Sequence, residues 1–265
     1  TLKQPVVIDN RPGGLYVPAI QAVASAPADG HTLLYVNSSY VTVQVTQNRF
    51  DLLRQFMPLT KTGETPGVIV VAASSPFKTL ADLVEHGRKN PDALTYGTLG
   101  VGTLEHLKSF QFTDAAGFKA RAIPYKGGPD MVNAVIAGDI SYTGINALTA
   151  GQLIASGKIR ALAATDSVRI ASLPDVPTVG EAGVKMQTSR LWSGFVAHAD
   201  TPAPIAQRLF NELVRAMNSP QIKQTFAPMG VMTSTSASPD EFRRLIASEA
   251  QWMGAIAKKL DLTNQ

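Results

Sequence analysis

Two hydrophobic periods run through the chain, and they separate strands from helices. Short runs rich in Val, Ile, Leu and Ala predict strands over 5–8, 32–36, 68–72, 94–96, 120–124, 140–144, 161–164 and 194–197. Between them, apolar positions at helical spacing predict helices over 17–25, 80–89, 103–116, 130–137, 148–156 and 204–218. Several ends carry their own signals. Thr79 can cap the helix at Leu80, with Asp82 in its first turn. Gly138 and Gly157 stand where helix C-caps fall. A further helix opens at Ser238-Pro239-Asp240-Glu241, with Ser238 as cap and two carboxylates near the positive end of the dipole. Its apolar stripe is Phe242, Leu245, Ile246, Ala250 and Met253, so Met253 and Trp252 read as packing residues. Strands alternating with helices imply a parallel sheet covered on both faces.

Two wholly apolar strands end in Pro-containing turns: 68–72 before Ser74-Ser75-Pro76, and 194–197 before His198-Ala199-Asp200-Thr201-Pro202. A chain that leaves one sheet, builds a second and returns has two such crossings. The expected division is a discontinuous outer domain, 1–73 plus 198–265, and an inserted inner domain, 74–197.

Composition narrows the chemistry. The 265 residues suffice for one large domain or two smaller ones. The net charge of +4 is small and its lysines and arginines are scattered, which gives nucleic-acid binding no support. No apolar run reaches the length of a bilayer span. The absence of Cys removes thiol nucleophiles, thiolate metal sites and disulfides, and fits an oxidising compartment and the cytosol equally. The four histidines, His31, His86, His106 and His198, fall in different elements without metal spacing. There is no Gly-x-Ser-x-Gly elbow, Walker loop or dinucleotide fingerprint. No catalytic residue, metal or cofactor is therefore expected, and a binding role gains by elimination.

The best candidate site is the stretch from Leu94 to His106, a strand, a glycine-rich turn and a helix opening at Thr103. Gly97, Gly100 and Gly102 let backbone approach a ligand, and the helix amides beside the Thr98 and Thr103 hydroxyls suit an anion. An unliganded strand-to-helix turn is the alternative. Ligands of open α/β sheets bind beyond the carboxyl ends of strands. That rule adds the Ser38 and Ser39 segment after 32–36 and Asn146 after 140–144, each of which also reads as a cap or turn residue. Arg190 beside Trp192 can pair with a carboxylate and stack on its body, or stand as a solvated Arg beside a core Trp. Lys126, in the loop Tyr125-Lys126-Gly127-Gly128, reads as a surface residue.

Taken in order, these segments resemble the Bug (TctC-like) family of periplasmic solute-binding proteins of tripartite tricarboxylate transporters. The matching stretches are Gln4-Pro5-Val6-Val7-Ile8-Asp9-Asn10-Arg11-Pro12-Gly13, Ala28-Asp29-Gly30-His31-Thr32-Leu33-Leu34 and Phe77-Lys78-Thr79-Leu80-Ala81-Asp82-Leu83. Tyr96-Gly97-Thr98-x-Gly100-x-Gly102-Thr103 with His106, and Pro124-Tyr125-Lys126-Gly127, follow. So do Gly157-Lys158-Ile159-Arg160, Leu173-Pro174-Asp175-Val176-Pro177-Thr178, Trp192-x-Gly194 and Thr201-Pro202-Ala203-Pro204.

The resemblance implies an α/β, two-domain periplasmic-binding-protein fold (flytrap, type II-like) with a ligand cleft between the domains. It implies carboxylate binding at Thr98, Gly100, Gly102 and Thr103, and at Leu99 and Val101 through their backbone, with Ser38, Ser39 and Asn146 at cleft positions. Three departures stand out. Family chains begin with a strand, a Pro- and Gly-rich loop and a helix ahead of the segment that here starts at Thr1, and that loop is the other half of the carboxylate grip. After Arg11-Pro12-Gly13 come Leu15, Tyr16, Val17 and Pro18 in place of glycines and Asn, which brings Tyr16 towards an aromatic ligand. Gly144 stands where relatives often carry Asp, which disfavours a ligand bearing an ammonium group.

The expected protein is a monomeric, periplasmic, non-enzymatic binder of a small carboxylate or dicarboxylate, which passes its ligand to membrane permease subunits. An aromatic or apolar-bodied acid is favoured, because Leu99, Val101, Tyr16 and Trp192 are placed to line the site. The alternatives are an effector-sensing domain of a regulator, whose DNA-binding helix pair this sequence lacks, and an enzyme on the same fold. An enzyme would need Glu105 or His106, and His106 reads as a buried helix-face histidine.

Overall fold

The computed structural model describes residues 4–262. In chain order the elements are α1 (Val17–Ala24), β1 (Leu33–Asn37), α2 (Ser38–Gln47), α3 (Leu52–Gln55), β2 (Phe56–Thr65), β3 (Gly67–Ala72) and α4 (Leu80–Lys89). Next come β4 (Leu94–Thr98), α5 (Leu104–Ala116), β5 (Ala120–Pro124), α6 (Gly128–Ala137), β6 (Thr143–Asn146), α7 (Ala147–Ala155) and β7 (Ile159–Ala164). The last are β8 (Leu191–His198), α8 (Ala203–Met217), α9 (Pro220–Phe226), β9 (Met232–Thr233) and α10 (Pro239–Lys259).

The chain divides into two compact units, Thr1–Glu64 with Trp192–Gln265, and Thr65–Leu191. The boundaries precede β3 and coincide with the start of β8, so they fall earlier than the expected 73/74 and 197/198. Each apolar strand belongs to the sheet it enters rather than the one it leaves, because its neighbours there bury it. Thus β3 lies between β6 and β7, and β8 lies beside β1 in the other unit.

In the second unit, β4 and β5 pair in parallel through the crossover helix α5, as the alternating pattern predicts. The expectation of an all-parallel sheet fails at β3. This strand pairs antiparallel with β6 on one side and β7 on the other. It arrives from another unit without a crossover helix, so it is not bound to the common direction. A parallel bridge between Tyr96 and Tyr142, with the Ser141 N–H donating to the Thr95 carbonyl at 3.0 Å, joins the pieces. The resulting order is β5-β4-β6-β3-β7. Because β6 and β7 oppose β3, they run parallel to each other and are linked by α7. One face packs Leu80, Leu83, Phe112, Phe118 and Tyr142, and the other packs Met131, Val135, Ile140 and Ala150.

In the first unit the sheet order is β1-β8-β2-β9, and β1 runs antiparallel to β8. α8 covers one face with Ala206, Leu209 and Leu213 over Leu59 and Ala197. α10 packs along α2, where the Thr42 hydroxyl meets the Met253 sulfur at 3.3 Å. The expected α10 stripe is buried at Phe242, Ile246 and Met253. Phe242 meets Trp192 edge-on, with ring centroids 5.2 Å apart.

Local signals fix many ends. Thr79 and Asp82 form a reciprocal capping box on α4, at 3.2 and 2.8 Å. The Asp82 carboxyl is held below its ordinary value by the Thr79 and Lys78 amides. Two expectations fail. Residues 5–8 form no strand: Val6, Val7 and Ile8 are exposed, and a strand exists only through ladder partners, which these residues lack among the described chain. The Ser38–Ser39 segment is the first turn of a helix rather than a loop. Its β-branched continuation, Val41-Thr42-Val43, favours a strand locally, and burial against α10 overrides that preference.

Gly194 shows how closely the first unit is packed. A Cβ there would stand 2.5 Å from Phe242 Cζ and 2.6 Å from the Thr60 carbonyl oxygen. Gly194→Ala is expected to destabilise by about 1–3 kcal/mol, as overpacking against a backbone atom does. Chemical denaturation of the variant checks it; an unchanged midpoint would contradict this packing.

Candidate functional site

The topology of the second unit gathers particular residues at one edge of its sheet. β4, β5, β6 and β7 all end there, while β3 enters there at Gly67. The edge is stitched by backbone hydrogen bonds: Tyr125 N–H to the Thr98 carbonyl at 2.8 Å, Ala147 N–H to Pro66 at 3.0 Å, and Thr165 N–H to Gly67 at 2.9 Å. Thr98 to Thr103, Asn146 and Asp166 therefore share this edge.

The glycine turn has a tied interior. Thr98 is buried, and its hydroxyl lies 3.1 Å from the Thr103 hydroxyl and 3.0 Å from the Gly100 carbonyl. Thr103 donates to that same carbonyl at 2.8 Å. The Gly100 amide donates inward to the Thr98 hydroxyl at 3.2 Å, and the Gly102 amide donates inward to His106 Nδ1 at 3.2 Å. Gly100 and Gly102 take φ of 127° and 76°, conformations that a side chain would strain. Gly97 serves packing instead, since a Cβ there would sit 2.2 Å from Met131 Cγ.

This geometry revises the sequence picture in one respect. Both threonine hydroxyls and both glycine amides are engaged within the turn. The amides without a partner among the described residues are those of Leu99 and Val101, together with Leu104, Glu105 and His106 in the first turn of α5. The Leu99 and Val101 amides alternate with the tied ones of Gly100 and Gly102, and Leu99 and Val101 are 40% and 70% exposed. Nothing in a one-letter sequence states which way an amide points, so the alternation was not legible there.

The remaining candidates have local partners. Ser38 is buried; its hydroxyl accepts the Trp192 amide at 3.1 Å. Ser39 donates its amide to the Asn37 side chain at 2.9 Å, and Asn146 caps α7 by accepting the Thr149 amide at 2.8 Å. Ser38 and Ser39 belong to the first unit and the others to the second. Arg190 Nε donates to Asp166 Oδ2 at 2.5 Å, so its cation is already paired. Asp166 was missed from sequence because it lies 24 residues from Arg190 with no intervening motif.

One expectation about the ligand's body is corrected, at Trp192. Trp192 is buried and donates its indole N–H to the buried Glu249. Tyr16 stacks on Tyr40, with centroids 4.1 Å apart and planes 19° apart. Trp192 is a packing residue, and Tyr16 is half-buried against Tyr40. Burial, reinforced by Tyr16, pushes the Tyr40 phenol up to about 12. At Gly144 nothing lies within 4 Å of a built Cβ, so a side chain has room there.

The described architecture, two α/β units built by a chain that crosses twice, is that of the two-domain periplasmic binding proteins. The sequence model of the tripartite tricarboxylate transporter family receptor, TctC, matches residues 1–262, and the chain belongs to that family. Protein BugT of Bordetella pertussis is 31% identical over 265 residues, covering 97% of this chain and 80% of its own. A TctC solute-binding protein from Polaromonas, solved without ligand, superposes with a TM-score of 0.84 at 18% identity, covering 96% of this chain and 86% of its own. Rpa4515 of R. palustris, solved with adipate, gives a TM-score of 0.77 at 29% identity over 97% of this chain and 87% of its own.

His106 gives the site a pH signature. Burial lowers its affinity for a proton below the ordinary histidine value of 6.5. Between that value and its folded one, the unfolded chain binds a proton that the native protein does not. Stability is therefore expected to hold above pH 6.5 and fall as pH drops through the folded value. His106→Asn should flatten that part of the profile. Thermal melts from pH 8 to 5 on both proteins test this; identical slopes would refute it.

Proposed function

We propose that the protein is an extracytoplasmic solute-binding receptor that captures a small organic carboxylate or dicarboxylate and hands it, unaltered, to membrane permease subunits of a tripartite tricarboxylate-type transporter. The observation that carries the reading is the set of amides at Leu99, Val101 and the start of α5 that have no partner among the described residues. A carboxylate has two acceptor oxygens and no donor, so a rigid row of N–H groups at a helix N-terminus matches it. Rpa4515, which holds adipate, supports this ligand class.

In this reading Thr98, Gly100, Gly102 and Thr103 shape the turn, while Leu99 and Val101 bind through their backbone and cover the ligand's apolar body. Arg190, neutralised by Asp166, orients the edge rather than adding net charge. Asn146, at the same sheet edge, supplies a neutral hydrogen bond. Capture takes place in the periplasm, by a monomer.

A panel of mono- and dicarboxylic acids, including malate, adipate and benzoate, tests this by thermal shift and calorimetry. One or more acids should stabilise the protein, by about 2.7 kcal/mol at a hundredfold excess over Kd, and be recovered unchanged. Gly102→Ala, strained at its positive φ, should weaken binding about tenfold or more while the far-UV spectrum is retained. Turnover of any acid, or undiminished binding by the variant, would reject the proposal.

A further inference from the structure

The glycine turn is held from two sides, and the second hold is unlike the first. The Thr98, Thr103 and Gly100 knot is made of hydroxyls, which can donate or accept. His106 can play only one part at a time at each nitrogen. Its ring is 8% exposed and stacks on Tyr96, with centroids 6.4 Å apart and planes 22° apart. Because Nδ1 accepts the Gly102 amide at 3.2 Å, that nitrogen carries a lone pair and the ring proton sits on Nε2.

We infer that His106 is the positioning residue of the anion-binding turn: as a neutral acceptor it draws the Gly102 amide inward and so fixes the outward aim of the Val101 amide and of the first amides of α5. This rests on the reading that the turn captures a carboxylate. The Gly102 amide lies in the peptide plane between Val101 and Gly102, which meets the plane carrying the Val101 amide at the Val101 Cα and the plane carrying the Thr103 amide at the Gly102 Cα, so the direction of one amide constrains its neighbours. Without an acceptor at Nδ1, Gly102 would be free to rotate, and the outward donors would lose their preset geometry. Preorganised donors bind an anion without first being ordered, which is where such a turn gains affinity.

The arrangement depends on protonation state. A proton on Nδ1 turns the acceptor into a donor facing the Gly102 donor, and the bond is lost. Burial keeps the ring neutral at physiological pH. The titratable and charged groups that face it come from three elements. Tyr96 from β4 is held up to about 12 by burial, and Tyr142, ahead of β6, is held well above its ordinary value by burial and by Tyr96. On α5, Glu105 is adjacent, and Lys108 turns its ammonium to the Ser189 carbonyl at 3.1 Å.

The test uses the full chain labelled with nitrogen-15. Nδ1 is expected unprotonated at pH 8. On acidification the amide resonances of Val101, Gly102 and Leu104 should move with the same midpoint as the imidazole, below pH 6.5. Adipate serves as the binding probe. Its affinity should fall about tenfold across that midpoint, the loss of one hydrogen bond to a charged group. His106→Ala should show the weak affinity at every pH. His106→Asn, whose side-chain oxygen can accept in place of Nδ1, should keep wild-type affinity and lose the pH dependence, a rescue that a purely structural role does not give. A protonated Nδ1 at pH 8, amides that do not follow the imidazole, or His106→Ala binding like wild type would each overturn the inference. If adipate fails to bind the wild type at any pH while the amide shifts persist, the carboxylate reading falls and the positioning role stands.

Discussion

One constraint governs the second unit: β3 lies between two strands that run the other way. Its ladders to β6 and β7 leave those two parallel to each other, which in turn requires a helix, α7, to carry the chain back between them. The strand is apolar along nearly its whole length because it is covered on both faces. Its direction also places the chain's point of entry, Gly67, at the edge where β4 to β7 end. The bonds from Thr165 and Ala147 to Gly67 and Pro66 then tie entry and strand ends into one rim. The glycine turn inherits its setting from that rim, since the Thr98 carbonyl is held by Tyr125 from the loop after β5.

Much of this was legible because the signals were local. Thr79 and Asp82 are three residues apart and decide the start of α4 between them. Gly138, at a positive φ of 85°, closes α6 where its sequence position indicates. The β5 and α4 bounds match those read from periodicity. What failed depended on partners distant in sequence. Residues 5–8 have strand composition without strand neighbours. α2 has strand composition and a helical fate, because α10, some 200 residues away, provides the surface that buries it. β3 betrays its burial in sequence but not its direction, since hydrophobicity carries no polarity along a strand.

The candidate site divides in the same manner. Gly100 and Gly102 were recognisable from sequence as positions for unusual backbone angles, and they have them. That their amides point inward was hidden, because their acceptors are a hydroxyl two residues back and an imidazole four residues ahead. Arg190 was visible as a cation, whereas Asp166, which pairs with it, was not. Trp192, attractive as a ligand contact because aromatic rings often are, turned out to be consumed by Glu249, while Tyr16 stacks on Tyr40.

The electrostatic consequence is a turn that offers direction in place of charge. With Arg190 already paired to a largely buried Asp166, no unpaired cation is contributed by that residue. An anion at Leu99 and Val101 would meet partial charges fixed to the backbone, whose positions do not relax and whose effect is confined to the first helical turn. Fixed dipoles discriminate by geometry: the spacing of two carboxylate oxygens either matches the row of amides or does not. The rest of a ligand bound there would meet the exposed Leu99 and Val101, which reward apolar area of almost any shape. On the proposed reading, a receptor built in this way would be strict about one carboxylate and tolerant of what is attached to it.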